Sequence, residues 1–337
     1  MMSMNRRTFV ATGLAGAVGA LAHAKQENDP YPPDFPPDGP LNAPQNPTGP
    51  TDAPQPKRPP WERSAADPFT LDYAPHFGLF HHHAGGDPID QIDFMAEAGF
   101  RSIEDNGMRG RSEDDQRRIA NALARHDMRM GVFVMNMDGA WRPSLTTGDA
   151  GERALFVQNA RDSIEVAQRV NAKWMTVVPG MVTDDLDAET QMRHVVESLK
   201  QAADVLEPHG LVMVCEPLNW RDHHGLYLRY TPQAVEIMKR VDSPSCMILQ
   251  DLYHQQATEG NLIDHMNSAW DYIPYFQVGD NPGRREPGTG EINYANVFKH
   301  MHDRGYTGII GMEHGKSMGD KEGEIKLIEA YRTVDPS

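Results

Sequence analysis

The sequence predicts an α/β protein, a single-domain (β/α)8 TIM barrel that follows an export signal and a proline-rich linker. Three observations carry this. Short apolar runs recur eight times after about residue 70, amphipathic stretches lie between them, and the eight units span roughly 265 residues, as such a barrel requires.

The chain opens on a segment that belongs to no fold. In NRRTFVATGLAGAVGALAHA, Arg6 and Arg7 precede an apolar run rich in Gly and Ala, which ends in Ala22-His23-Ala24. A basic start, a short apolar middle and an A-x-A site make residues 1–24 an export signal. The paired arginines assign it to the Tat route, so the expected location is the periplasm. The run is too short to span a membrane and too rich in Gly for a good core helix. No cysteine follows the signal, so no membrane anchor is expected after cleavage. Residues 25–68 follow as a linker: 13 of the 26 prolines fall within residues 30–60, and so little apolar content cannot build a core.

Residues 69–337 carry the barrel. The runs are HFGLFHHH (76–83), FRSIED (100–105), MRMGVFVMN (128–136), KWMTVVPG (173–180), LVMVCEPLN (211–219), CMILQDLYH (246–254), YIPYFQVGD (272–280) and YTGIIGMEHG (306–315). Between them, Phe156, Ala160, Ile164, Ala167 and Val170 fall on one helix face, as do Val195, Val196, Leu199, Ala202, Ala203 and Leu206. A doubly wound open sheet is the second choice, but no G-x-G-x-x-G or GKS/T opens a helix. Two smaller domains are disfavoured because no second linker interrupts the alternation.

Charge narrows the partner. Without residues 1–24 the chain has 30 basic against 48 acidic residues, a formal charge of −18. Such a surface repels phosphate backbones, so nucleic acid is disfavoured as a partner and a small molecule is expected. Assembly into a homo-oligomer is compatible with the sequence.

Barrel chemistry sits where strands end. The fifth run closes on Glu216, the sixth on Asp251 with His254 beyond it, the seventh on Gln277 with Asp280, and the eighth on Glu313. Carboxylates converging at one mouth repel each other unless a cation lies among them, and oxygen donors favour a hard ion such as Mg²⁺ or Mn²⁺ over Zn²⁺. Any one of these acids read alone is as well explained as a helix cap. The histidine groups His81–His83 and His223-His224 are ambiguous, since loop histidines are usually surface residues, and no role is assigned to them. On this register Cys215 and Cys246 lie about 13 Å apart along neighbouring strands, which predicts two free thiols.

EPLNWRDHHGLYL, DLYHQQ, QVGDNPGRREPGTGEINY and the final MEHG resemble the hydroxypyruvate isomerases of the xylose isomerase-like superfamily. The resemblance covers most of residues 75–330. It implies a divalent ion (Mg²⁺ or Mn²⁺, with Co²⁺ a further option) held by Glu216, Asp251, Gln277 and Glu313, with Glu216 and Glu313 exchanging the substrate proton. Related ketose 3-epimerases place histidine where this chain has Gln277. The loop of residues 277–294 is then expected to fold over the ion, with Glu286 fixed by a base. His254 would polarise a substrate oxygen, and Arg221, Arg284, Arg285 or Lys316 would hold a carboxylate. The implied reaction passes through an enediolate, from hydroxypyruvate to 2-hydroxy-3-oxopropanoate or on a related hydroxy-ketone or sugar. Competing readings are a ketose 3-epimerase, an endonuclease IV-like phosphodiesterase and a catalytically silent sugar-binding barrel. The His314-Gly315-Lys316 stretch after Glu313 departs from the family's usual aromatic-then-basic pattern.

Overall fold

The computed structural model describes residues 68–337; the expected signal and linker lie outside them. The strands are β1 (Asp72–Pro75), β2 (Ser102–Ile103), β3 (Arg129–Met130), β4 (Phe133–Val134), β5 (Trp174–Val177), β6 (Val212–Cys215), β7 (Cys246–Asp251), β8 (Tyr275–Gln277) and β9 (Ile309–Met312). The helices between and after them are α1 (His81–Ala84), α2 (Pro88–Glu97), α3 (Glu113–Arg125), α4 (Met137–Ala140), α5 (Ala150–Val170) and α6 (Ala188–Leu206). The remainder are α7 (Thr231–Val241), α8 (Leu252–Thr258), α9 (Leu262–Ala269), α10 (Tyr294–Asp303) and α11 (Lys321–Val334).

Seven strands form one curled, open parallel sheet in the order β1-β9-β8-β7-β6-β5-β4. The first strand lies beside the last. A doubly wound sheet instead reverses strand order at a switch point, so that alternative fails. β2 and β3 form a separate parallel pair, joined to the rest by single bridges, His76 with Glu104 and Met130 with Ala172. The third apolar run is split at Gly131, where a Cβ would meet the Tyr275 hydroxyl at 2.4 Å and the Ile103 carbonyl at 2.9 Å.

Strand alternation decides what faces inward. Ala74, Val132, Trp174, Val212, Val214, Leu249, Tyr275 and Ile309 form one buried cluster inside the curl. With a period of two, Glu216 follows Val214, Asp251 follows Leu249, Gln277 follows Tyr275, and Glu313 follows Ile309 and Gly311 onto the same face. Odd against even placement thus aims all four toward the axis.

The helices pack outside as expected. Every residue of the predicted α6 face is buried, and α5 buries Phe156, Ala160, Ala167 and Val170 together with Asn159 and Ser163, with Ile164 at its margin. Each is capped by a preceding aspartate, Asp149 for α5 and Asp187 for α6. Among the described residues no helix is long and apolar enough to cross a membrane.

Two expectations need correction. The run 76–83 is not the first strand: β1 lies just before it, Gly78 turns the chain at φ 96°, and His81–Ala84 is helical. Leu79 and Phe80 are buried, Phe80 against Phe94 and Phe100, which is packing without a ladder. The cysteines are both free as expected, but their offset is smaller than expected, and with the spacing between strands it still exceeds disulfide reach. Cys246 pairs with Met213, so Cys215 stands only two residues higher, about 7 Å along the strand. The two thiols interact, and the Cys215 contact and burial push Cys246 well above the ordinary thiol range. The staggered register of β6 and β7 brings them together.

Candidate functional site

Glu216, Asp251 and His254 each offer a ligand atom within 4.8 Å of one another, and all three are buried. Asp251 divides its work. Its Oδ1 caps α8, accepting the backbone N–H of Tyr253 at 2.7 Å and of His254 at 3.3 Å, while Oδ2 faces the site. Glu313 joins through Arg284, whose Nη2 donates to Asp251 Oδ2 and Glu313 Oε2, both at 2.8 Å. Arg284 is left-handed at φ 50°, lies 5.1 Å above the Tyr253 ring, and enters where Gly279 has no side chain. The Asp251 side chain is fully buried, whereas those of Arg284 and Glu313 are 26% and 27% exposed. The site therefore opens on the β9 side.

Electrostatics mark this mouth. Burial pushes Glu216 well above the usual carboxylate range, with Glu313 and Asp251 adding to the rise. Burial likewise raises Glu313, against the pull of Arg284. Burial opposes the charge on Arg284, but Glu313, Asp251 and Glu216 together raise its pKa.

The hydrogen-bond pattern assigns the His254 tautomer. The Asn219 backbone N–H lies 3.4 Å from Nδ1 and the Asn219 side-chain amide 2.6 Å from it. A backbone N–H only donates, so Nδ1 accepts and the neutral ring carries its proton on Nε2. Burial, then Arg284, holds the ring well below the ordinary histidine range, so it is neutral. That Nε2–H lies 3.6 Å from Asp251 Oδ2 and 3.8 Å from Glu216 Oε1, without a hydrogen-bond partner among the described residues. His254 is thus set as a donor to a bound oxygen atom and not as a metal ligand.

Does the donor set fit a cation? Among the described residues Glu216 Oε1 and Gln277 Oε1 are buried acceptors with no donor, beside Asp251 Oδ2 and Glu313 Oε2, which both accept from Arg284 Nη2. Acceptors left bare in a buried cluster of acids suit a hard divalent ion. These residues fit.

The structure brings Glu216, Asp251, His254, Arg284 and Glu313 together and sets Gln277 on the same face. It leaves four expected residues outside. Lys316 is committed elsewhere, its ammonium 2.8 Å from Glu324 Oε1 and 2.7 Å from the Leu79 carbonyl. Glu286 meets no base; it accepts the Ser317 backbone N–H at 2.8 Å and the Ser317 hydroxyl. Arg221 is exposed and Arg285 donates to the Lys316 carbonyl. The loop after β8 is organised instead by Asp280, whose buried carboxylate accepts backbone N–H groups of Asn281, Gly288, Gly290 and Ile292. Gly290 is required there, since a Cβ would lie 2.2 Å from the Asn281 carbonyl oxygen.

A second group, His81, His82 and Glu324, also gathers ligand atoms. Its carboxylate is already satisfied. Backbone N–H and ring Nδ1 of both His82 and His83 lie within 3.0 Å, and Lys316 supplies the fifth contact. Burial alone would raise Glu324, yet these partners, Lys316 foremost, bring it down to about 2.

Sequence reasoning passed over Glu104, Asn106 and Asn219. Glu104 closes the second apolar run as Glu216 closes the fifth, so the same rule would have found it. Asn106 donates to Glu313 Oε1 at 2.9 Å.

The profile of the family described as "Xylose isomerase-like TIM barrel" matches residues 92–332. The hydroxypyruvate isomerase of Escherichia coli K12 is 32% identical over 200 residues, covering 56% of this chain and 77% of that one. The 2-oxo-tetronate isomerase of Pectobacterium atrosepticum is 27% identical, covering 67% and 86%. Among solved structures, an AP endonuclease, family 2, from Brucella melitensis superposes with a TM-score of 0.67 at 26% identity, over 77% of this chain and 99% of that one. The D-psicose 3-epimerase of Clostridium cellulolyticum shares the fold, with a TM-score of 0.63 at 18% identity over 78% and 96%. This chain belongs to the xylose isomerase-like TIM barrel family.

Proposed function

We propose that this protein is a metal-dependent isomerase that moves a proton between adjacent carbons of a small hydroxy-ketone, with hydroxypyruvate as the first candidate and 2-hydroxy-3-oxopropanoate as its product. The observation that carries the reading is the alternation that aims Glu216, Asp251, Gln277 and Glu313 inward from four successive strands, with the His254 Nε2–H among them. Glu216, Asp251, Gln277 and Glu313 would hold a divalent ion, Mg²⁺ or Mn²⁺. When bound, such an ion would supply Lewis-acid polarisation of the carbonyl and hydroxyl oxygens of a substrate.

The chain's own residues do the rest. Glu216 and Glu313 are carboxylates whose raised affinity for protons suits one to take the proton and the other to return it. Asp251 takes no proton; one of its oxygens is spent on the α8 cap. His254 donates from Nε2 to a substrate oxygen. Arg284, at the open side, is the cation best placed to meet a substrate carboxylate, and its planar fork suits that group. Arg221 stands further out in solvent. The net charge and the single histidine among these residues speak against a multi-metal nuclease site.

The test is to incubate metal-loaded protein in D₂O with hydroxypyruvate, other hydroxy-ketones and ketoses, following deuterium uptake by NMR. Uptake with product from hydroxypyruvate is expected. Uptake only with ketoses would move the assignment to an epimerase, and none with any substrate would leave a binding barrel.

The same reading includes export in the folded state by the Tat route, which would let the ion load in the cytoplasm, away from tighter-binding Cu²⁺ and Zn²⁺. Replacing Arg6 and Arg7 together by lysine should strand the protein inside the cell. Normal export of that variant would remove the Tat assignment.

A further inference from the structure

A glutamine has a particular weakness as a metal ligand. Its amide oxygen can coordinate a cation and its NH₂ cannot, yet the two ends have nearly the same shape and exchange by a half-turn of one bond. A site that uses Gln277 therefore needs something to fix the amide. We propose that Glu104 is that positioning residue. The inference rests on the reading of Gln277 as a ligand.

Three observations carry it. Gln277 Nε2 donates to Glu104 Oε1 at 2.9 Å, while Gln277 Oε1 is buried and has no partner among the described residues. The amide is thus tethered by the end that cannot bind a cation, and the end that can is bare. Glu104 is in turn held fast. Its backbone N–H reaches the Pro75 carbonyl at 3.0 Å, and its Oε2 accepts the Tyr275 hydroxyl at 2.9 Å. That hydroxyl accepts the Val132 N–H at 3.4 Å, which leaves its own proton for Glu104.

The third observation is a space made for the carboxylate. At the level where β7 places Asp251 and β8 places Gln277, β9 places Gly311, paired in register with Gln277. A Cβ on Gly311 would sit 1.9 Å from Glu104 Oε2 and 2.9 Å from Gln277 Cγ. Both side chains occupy the volume that glycine vacates. A partner beyond the ligand that fixes its orientation commonly governs metal affinity by about 10- to 100-fold.

The experiment measures Mn²⁺ affinity of the full chain by calorimetry and by the EPR signal of free Mn²⁺, with thermal unfolding followed in parallel. Glu104→Gln should weaken Mn²⁺ binding by about 10- to 100-fold. The decisive comparison uses Gln277→Glu, whose two like oxygens need no orienting. In that background Glu104→Gln should leave Mn²⁺ affinity unchanged or raise it, since two adjacent carboxylates become one. Equal losses in both backgrounds would reduce Glu104 to a packing residue and overturn the proposal. So would wild-type-like affinity in Glu104→Gln while Gln277→Ala binds weakly. If Gln277→Ala itself binds Mn²⁺ normally, the underlying ligand reading fails instead. Should Glu104→Gln not fold, Tyr275→Phe, which frees Glu104 Oε2, replaces it. A loss seen in the native Gln277 background but not in the Gln277→Glu background supports the proposal, and no loss in either overturns it.

Discussion

Two buried glutamates on this chain have opposite surroundings. Glu324, where α11 meets α1, accepts five donors from His82, His83 and Lys316, and its pKa falls to about 2. Glu216, at the end of β6, has a bare Oε1 and two acidic neighbours, and burial drives its pKa well up. Both sit beside histidines, and both belong to groups with the composition of a metal site. Composition therefore does not separate them; the donor count does. A carboxylate already saturated by the protein holds the fold, and one left bare among other acids keeps an oxygen free for a cation.

The contrast can be broken most sharply at Glu313, which shares the mouth with Glu216. Glu313→Gln keeps the size and one ligand oxygen but accepts no proton at neutral pH. Turnover should fall by about 10²- to 10⁴-fold while Mn²⁺ still binds, more weakly, as steady-state kinetics and calorimetry would show. Near-normal turnover in the metal-loaded variant would end the two-glutamate mechanism.

Glu324 should respond in stability and not in chemistry. Removing one charge of the buried pair with Lys316 is expected to cost about 3 kcal/mol in Glu324→Gln, measured by urea unfolding at pH 7. The pH dependence follows from its lowered pKa. Unfolded, the carboxylate binds protons near its ordinary value, about 4.3, while the folded state resists them down to about 2. The contribution is thus complete above about pH 5 and is lost as pH falls toward 2. Glu324→Gln should flatten that part of the stability curve.

Asp251 lies between the two cases, and the expected effect is smaller. Asp251→Asn keeps the α8 cap through its remaining oxygen but loses the charge. Its Mn²⁺ affinity should fall by about 10- to 100-fold, with activity recovering at high Mn²⁺ or Mg²⁺. Asp251→Ala should add about 1 kcal/mol of destabilisation from the lost cap. Failure to recover in a metal-loaded Asp251→Asn protein would move Asp251 into the chemistry.

How much of this was legible in the sequence follows from how local each feature is. Glu216, Asp251, Gln277 and Glu313 end apolar runs, and strand alternation alone turns them inward, so the pattern was sufficient. Glu104 ends a run too, but its value depends on Gly311 and Tyr275, brought from strands far along the chain. The first strand was misplaced because Leu79 and Phe80 are apolar for packing, whereas Asp72–Pro75 is held by pairing with β9. The cysteine separation failed because stagger between strands is a property of the curl and leaves no mark in a single strand. Asn219 was invisible for the opposite reason: a loop asparagine is commonplace until a histidine nitrogen is found against it.

Asp72 pairs with Ile309, and Asp335 accepts the backbone N–H groups of Thr70 and Leu71 as well as the Tyr73 hydroxyl. On the ribosome, β1 emerges early and finds neither partner until more than two hundred further residues have been made. At typical rates of synthesis that interval is on the order of tens of seconds. During it β1 is an open edge able to pair with any strand of another nascent chain. The cell thus meets this protein first as an unsealed sheet, and the yield of folded product depends on keeping such chains apart until β9 arrives.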